Sequence, residues 1–113
     1  MTTVSNREIR NLVTNREVFK THNGTVFSEN KDNLYVVYSY GHHFPMYAYD
    51  AEAREWFGNA DKYSPTTSRH QSYARPDSSV EFMPSELLRS LVDRGSYAAY
   101  CAKHVRGWDY ITA

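Results

Sequence analysis

The segment from Lys62 to Arg75 gathers more anion-binding chemistry than any other stretch of this chain. Lys62, Arg69 and Arg75 supply cations, His70 lies between them, and no carboxylate interrupts the run. Ser64, Thr66, Thr67, Ser68 and Ser72 add hydroxyls, with Ser78 just beyond. Guanidinium forks beside hydroxyl donors are what a phosphate oxygen requires. Tyr63 and Tyr73 offer faces on which a nucleobase can stack. Lys62, Tyr63, Thr66, Thr67, Ser68, Arg69, His70, Gln71, Ser72 and Arg75 therefore form the first set of candidate binding residues. The competing reading is a solvated connection pinned by its own side-chain hydrogen bonds.

His42 and His43, between Gly41 and Phe44, are the second candidate. Adjacent residues of an extended segment point apart, so the pair binds a metal only with ligands from elsewhere. His22, His70 and His104 bring the histidines to five, yet no HxH or HExxH spacing joins them. No metal or other cofactor is expected. A nucleophile is equally hard to find. There is no GxSxG elbow and no glycine-rich phosphate loop. The single cysteine, Cys101, falls on a helical stripe with Tyr97 and reads as a packed thiol. A small phosphoester-directed enzyme using His70 or His43 as general base remains the third reading. No catalytic residue is assigned.

These groups need a scaffold, and the chain is organised around Leu34 to Asp50. Leu34 to Tyr40 is almost wholly β-branched or aromatic, which suits a pleated surface. Both of its alternating faces are apolar, predicting a central strand covered on two sides. Gly41 to Pro45 breaks the run and Met46 to Asp50 resumes it, predicting a hairpin. Upstream, Ser5 to Thr14 predicts a short helix with a Ser5–Glu8 capping box and an Ile9, Leu12, Val13 stripe. Asn23-Gly24 between two alternating runs predicts a type I′ turn. Lys31 to Asn33 turns into the central strand, and Trp56-Phe57 begins another. From Asp61 to Pro76 no periodicity survives, so this stretch reads as a long loop. Pro84 to Glu86 opens a helix with Leu87, Leu88, Leu91 and Val92 on one face, stopped by Gly95. Ser96 caps a second helix from Tyr97 to about Val105, with Tyr97, Tyr100, Cys101 and Val105 inward. Trp108 to Ile111 reads as an edge strand or ordered tail.

The expected fold is α+β: an antiparallel meander of about five strands with an N-terminal helix and two C-terminal helices. At 113 residues the chain has room for one domain. Thirteen basic and thirteen acidic residues cancel, so nucleic acid or an anionic membrane can be attracted only by a local patch. No run approaches the length of a membrane span, the N-terminus lacks a signal-peptide core, and one cysteine fits a reducing compartment. The protein is expected in the cytoplasm.

The distinctive positions between Val36 and Pro76 also carry a resemblance. YGHHFPMYAYD, then W-F-x-N-x-DKYS, then TTSRHQSYARP, is similar to small proteins of unknown function encoded by bacteriophages and mobile elements. Such proteins show a YGxHFP-like hairpin, a Trp-containing strand and a TTSxHxS loop. The resemblance implies an accessory protein that binds a host macromolecule, a protein or a ribonucleoprotein, without catalysis. Inhibitors of host defence, including anti-CRISPR proteins, belong to that class. A nucleic-acid-binding module using residues 62–75 is the alternative.

Overall fold

The computed structural model describes residues 8–61 and 65–101, and the backbone of residues 2–4. Its centre is the predicted one. Six consecutive side chains of the strand Leu34–Ser39 are all buried. A strand buried on both faces needs a layer on each, and the chain supplies them with helices.

In chain order the elements are β1 (Thr2–Val4), α1 (Ile9–Thr14), β2 (Phe19–Thr21), β3 (Val26–Lys31), β4 (Leu34–Ser39), β5 (Pro45–Asp50), β6 (Glu55–Asn59), α2 (Pro65–Ala74), β7 (Val80–Met83) and α3 (Ser85–Arg94). The seven strands form one sheet in sequence order. Strands β2 to β6 are the expected antiparallel meander. Two strands not anticipated from the sequence, β1 and β7, add to its edges in parallel. Between Val37 and Tyr38 the β4–β5 register shifts, because Met46 is inserted opposite the β4 ladder.

The alternation of β4 assigns its side chains to two cores. Tyr35 and Val37 join Ile9, Val13, Phe19, Met46 and Ala74 beneath α1 and α2. Leu34, Val36 and Tyr38 join Phe57, Leu88, Leu91 and Val92 beneath α3. In α1, Ile9 and Val13 are buried as their spacing predicts. Its cap differs: Glu8 itself occupies the N-cap position with no side-chain cap bond, and Ser5 lies outside the described residues. In α3, Leu88, Leu91 and Val92 face inward, but Leu87 is 36% exposed and leaves the stripe. Residues 97–101 are helical, and Ser96 caps them by accepting from the Ala99 N–H at 3.1 Å. The rest of that helix, with His104 and Val105, and the proposed tail at Trp108 to Ile111 lie outside the described residues.

Two turns depart from expectation. Asn23 does not take positive φ, so Asn23-Gly24 is not a type I′ turn. Instead the Gly24 N–H donates to the Thr21 carbonyl at 2.9 Å, and Gly24 alone is left-handed, at φ +73. The Asn23 carboxamide oxygen holds the turn by accepting from the Thr25 N–H and from the hydroxyls of Thr21 and Thr25. Local side-chain acceptance of this kind replaces the backbone preference that the dipeptide signals. The segment Asp61 to Pro76 is not a loop, because α2 occupies most of it.

The C-terminus of α3 is tied to the β3–β4 turn. Gly95 ends the helix at φ +78, and its carbonyl accepts from the Asn33 N–H at 3.0 Å. Lys31 Nζ donates to the Val92 carbonyl at 2.8 Å. A methyl group on Gly95 would collide with the Asp32 carboxylate. Gly95→Ala is expected to lower unfolding free energy by more than the ~1–2 kcal/mol of left-handed backbone strain alone. Urea denaturation of Gly95→Ala and of Gly95→Ala/Asp32→Ala separates the two contributions: the double variant should regain the part due to the collision.

Candidate binding surface

Helix α2 explains why its segment lacks an apolar stripe. Thr67, His70, Gln71 and Ala74 are buried. Their spacing is i, i+3, i+4, i+7, the helical template, but three of the four are polar. The His70 ring and the Gln71 amide nitrogen bond to the sheet and its flank, while Gln71 Oε1 is buried without a hydrogen-bond partner among the described residues. His70 Nδ1 and Ser39 Oγ share a buried hydrogen bond of 2.8 Å. Gln71 Nε2 donates to the carbonyls of Asn59 at 3.0 Å and Asp61 at 3.1 Å. The Gln71 carbonyl accepts from the Tyr47 hydroxyl at 2.7 Å. Burial pushes the Tyr47 phenol up to about 12, so it stays a donor at neutral pH. Asn59 continues the network by donating to the Pro45 carbonyl and the Ser85 hydroxyl. The helix is thus held to β4, β5 and β6 by polar bonds where an ordinary helix would use leucines.

The remaining α2 residues face outward. Thr66, Arg69 and Ser72 are exposed, Ser68 and Tyr73 half-buried, and Arg75 exposed just past the helix end. The structure therefore divides the first candidate set. Thr66, Ser68, Arg69, Ser72 and Arg75 are available to a partner; Thr67, His70 and Gln71 are structural. Lys62 and Tyr63 lie outside the described residues.

Neighbouring α1 adds a cation that sequence reasoning did not single out. Arg10 Nη2 donates to the Ser72 carbonyl at 3.0 Å, setting its guanidinium beside Arg69's helix. The Arg75 guanidinium lies over the Phe82 ring at 5.3 Å, and Phe82 is 41% exposed. Neither residues 9–16 nor residues 65–76 contain a carboxylate. Glu8, Asp61 and Asp77 stand at the margins, where Asp61 Oδ2 is occupied by the Ser85 N–H at 2.8 Å. The outcome is a basic, hydroxyl-bearing layer with an exposed aromatic at its rim.

His42 and His43 are elsewhere. His42 packs against the stacked rings of Phe27 and Tyr38, with Nε2 2.8 Å from Glu29 Oε2. Both histidines border a hollow of about 80 Å³ with Arg89, Val92 and Asp93 of α3. They are therefore on the α3 side of the sheet, opposite α2, and the two candidate sets do not converge. Among the described residues no group of three or more His, Cys, Asp or Glu side chains could hold a metal ion. No described helix is long and apolar enough to cross a membrane.

The Ser39–His70 pair has the distance of a nucleophile and its base. Its surroundings favour another role. Ser39 is 1% exposed and His70 8%, and the Tyr40 ring lies 5.4 Å from the imidazole. A substrate carbonyl or phosphorus has no route to a hydroxyl so enclosed. Burial lowers the His70 pKa, and neighbouring Arg69 lowers it further, so the ring is neutral at pH 7.

No protein-family model matches this sequence, no curated protein is similar to it, and no solved structure matches its fold. The reading of the surface accordingly rests on its own chemistry.

The His70 environment has a pH signature. A histidine whose folded pKa is lowered binds its proton less readily in the folded state than in the unfolded one, whose value is near 6.5. Stability is therefore full above pH 6.5 and declines as pH falls through 6.5 towards the folded pKa, below which this loss levels off. His70→Asn keeps a polar atom near the Nδ1 position without a titrating ring. Denaturation between neutral and mildly acidic pH should show a smaller loss for this variant than for wild type. Parallel curves would show that His70 is not the group responsible.

Proposed function

We propose that this protein is a binding module that engages nucleic acid, free or within a ribonucleoprotein, through the outer side of the α1–α2 layer. The observation that carries this reading is charge segregation in a neutral chain. Arg10, Arg69 and Arg75 share one layer whose two helices, Ile9–Thr14 and Pro65–Ala74, contain no carboxylate, with Glu8 and Asp77 at its margins. Thr66 and Ser72 place hydroxyls beside them on the exposed face. Guanidinium and hydroxyl donors suit phosphate oxygens, and Tyr73 and Phe82 supply aromatic surface at the rim. The enclosure of the Ser39–His70 pair favours binding over catalysis. The expected contacts follow the phosphate backbone.

A narrower role is supported by the resemblance of the YGHHFP and TTSRHQS segments: an accessory protein of a phage or mobile element that disables a host defence complex, as anti-CRISPR proteins do. A ribonucleoprotein target would meet both readings, since its exposed RNA would present the phosphates.

The test is a titration of short single-stranded and duplex oligonucleotides at several salt concentrations. Wild type should bind with an affinity that falls steeply as salt rises. Arg69→Ala and Arg75→Ala should each weaken binding across sequences and lower the log–log salt slope by about 1, with little change in melting. Arg69→Lys should weaken binding less than Arg69→Ala, because it keeps the charge and loses the fork. Affinity indifferent to salt, or equal across the set, would refute the surface.

A further inference from the structure

A cleft of about 350 Å³ opens at the end of the sheet where α1 stops, β5 turns into β6 and the chain approaches β7. Arg16 and Arg54 border it from two different elements, and both have φ +56. Arg16 occupies the position after the α1 C-cap. Its N–H donates to the Val13 carbonyl, and the Glu17 N–H to that of Leu12, which is a Schellman closure. Arg54 is the last residue of the β5–β6 turn, its N–H donating to the Asp50 carbonyl at 2.7 Å. That turn is fixed by the buried Asp50 carboxylate, which accepts from the N–H groups of Glu52 and Ala53 at 2.8 Å and of Tyr97 at 2.6 Å. At both positions glycine would be free of strain, so the backbone favours glycine and gains only a guanidinium from arginine.

The cleft is furnished for a ligand with one anionic group and a flat body. The Arg54 guanidinium has no hydrogen-bond or ion-pair partner among the described residues, although Glu55 and Asp77 border the same space. The Arg16 guanidinium lies 4.4 Å from the centre of the Tyr49 ring, and Tyr49 lies 5.1 Å from Trp56. Trp56 is only 4% exposed and the arginine covers the Tyr49 face, so the flat surface offered to the cleft is the Arg16 guanidinium backed by Tyr49. Ser78 and Ser79 contribute exposed hydroxyls. Two arginines against two carboxylates leave the lining formally neutral, which admits a single phosphate and disfavours a polyphosphate. The volume is at the lower end of ligand-pocket sizes, enough for one nucleotide unit.

We propose that this cleft binds a nucleoside monophosphate. The phosphate meets Arg54, the carboxylates of Asp77 and Glu55 accept from ribose hydroxyls or an exocyclic amine, and the base stacks on the Arg16 guanidinium backed by Tyr49. The same unit could be a free mononucleotide or the phosphorylated end of a strand. The site does not use Arg69 or Arg75, so it stands or falls separately from the α1–α2 surface.

The experiment is an NMR titration of the ¹⁵N-labelled full chain with adenosine 5′-monophosphate, adenosine and inorganic phosphate. The monophosphate is expected to move the Trp56 indole and the Ser78 and Ser79 amides saturably, and to bind about tenfold or more tightly than either fragment. Arg54→Gly keeps the left-handed turn without strain, so it should melt at or above wild type yet lose about tenfold or more in affinity. A 5′-phosphorylated oligonucleotide that produces the same shifts while its 5′-hydroxyl form does not would identify the strand end as the source. Absence of saturable shifts at millimolar monophosphate, or undiminished affinity in Arg54→Gly, would overturn the proposal.

Discussion

Everything in this molecule follows from a strand that cannot tolerate water on either side. All six side chains of β4 are buried, and they include Tyr35 and Tyr38. One face alone could have been covered by a single helical layer, as in many antiparallel sheets. Two buried faces require two layers, and the chain supplies α1 and α2 on one side and α3 on the other. The polar tip of Tyr35 is accommodated by donating to the Glu17 carbonyl at 2.6 Å. Burial holds that phenol up at about 12, so it remains a donor at any ordinary pH. A sheet so enclosed leaves few places for a ligand, which is why the candidate surfaces sit on the outer side of a helical layer and at a sheet end.

The central strand, its hairpin, α3 and the Gly95 stop were legible in the sequence because apolar patterning and punctuation speak for themselves there. Helix α2 was not. Its buried positions keep the helical spacing, but they are filled by Thr67, His70, Gln71 and Ala74. A hydrophobicity pattern detects stripes that are buried for transfer free energy; it is blind to stripes buried for hydrogen bonds. Ser39 and Asn59, the partners of that stripe, lie in β4 and β6, and nothing local in residues 65–74 announces them. The edge strands were missed for a related reason. β7 has exposed Glu81 and Phe82 at its middle and draws its order from pairing with β6. The Asn23-Gly24 dipeptide misled because Asn23 spends its carboxamide on Thr21 and Thr25 rather than taking positive φ.

Site residues divided along the same line. A sequence lists Thr67, His70 and Gln71 with Thr66, Arg69 and Ser72 as one polar run, since helical phase is needed to separate them. Once the phase is known, the run separates into a buried side and an exposed side of one helix. Arg10, Arg16 and Arg54 carried no signal in their own neighbourhoods, because each acquires its setting only from residues distant in the chain: Ser72 for Arg10, Tyr49 for Arg16, and the Asp77 to Ser79 segment for Arg54. A lone arginine in a turn is unremarkable. One held left-handed is informative, since a guanidinium occupies a place where the backbone favours glycine.

The polar attachment of α2 bears on how well its outer face can bind. A helix held only by apolar contacts can slide or rotate slightly at little cost, because the hydrophobic effect is non-directional. The hydrogen bond between His70 and Ser39, those from Gln71 to two carbonyls and that from the Tyr47 hydroxyl to the Gln71 carbonyl are directional and fix both rotation and register. Arg69, one residue before His70, and Ser72, one after Gln71, inherit that rigidity in their backbones. Ordering a contact surface is one of the costs of association, so an array whose backbone is already fixed loses less on binding. The choice of polar over apolar anchors in α2 thus links the stability of the layer to the spacing of its cations: what locks the inner face also sets the geometry that the outer face presents.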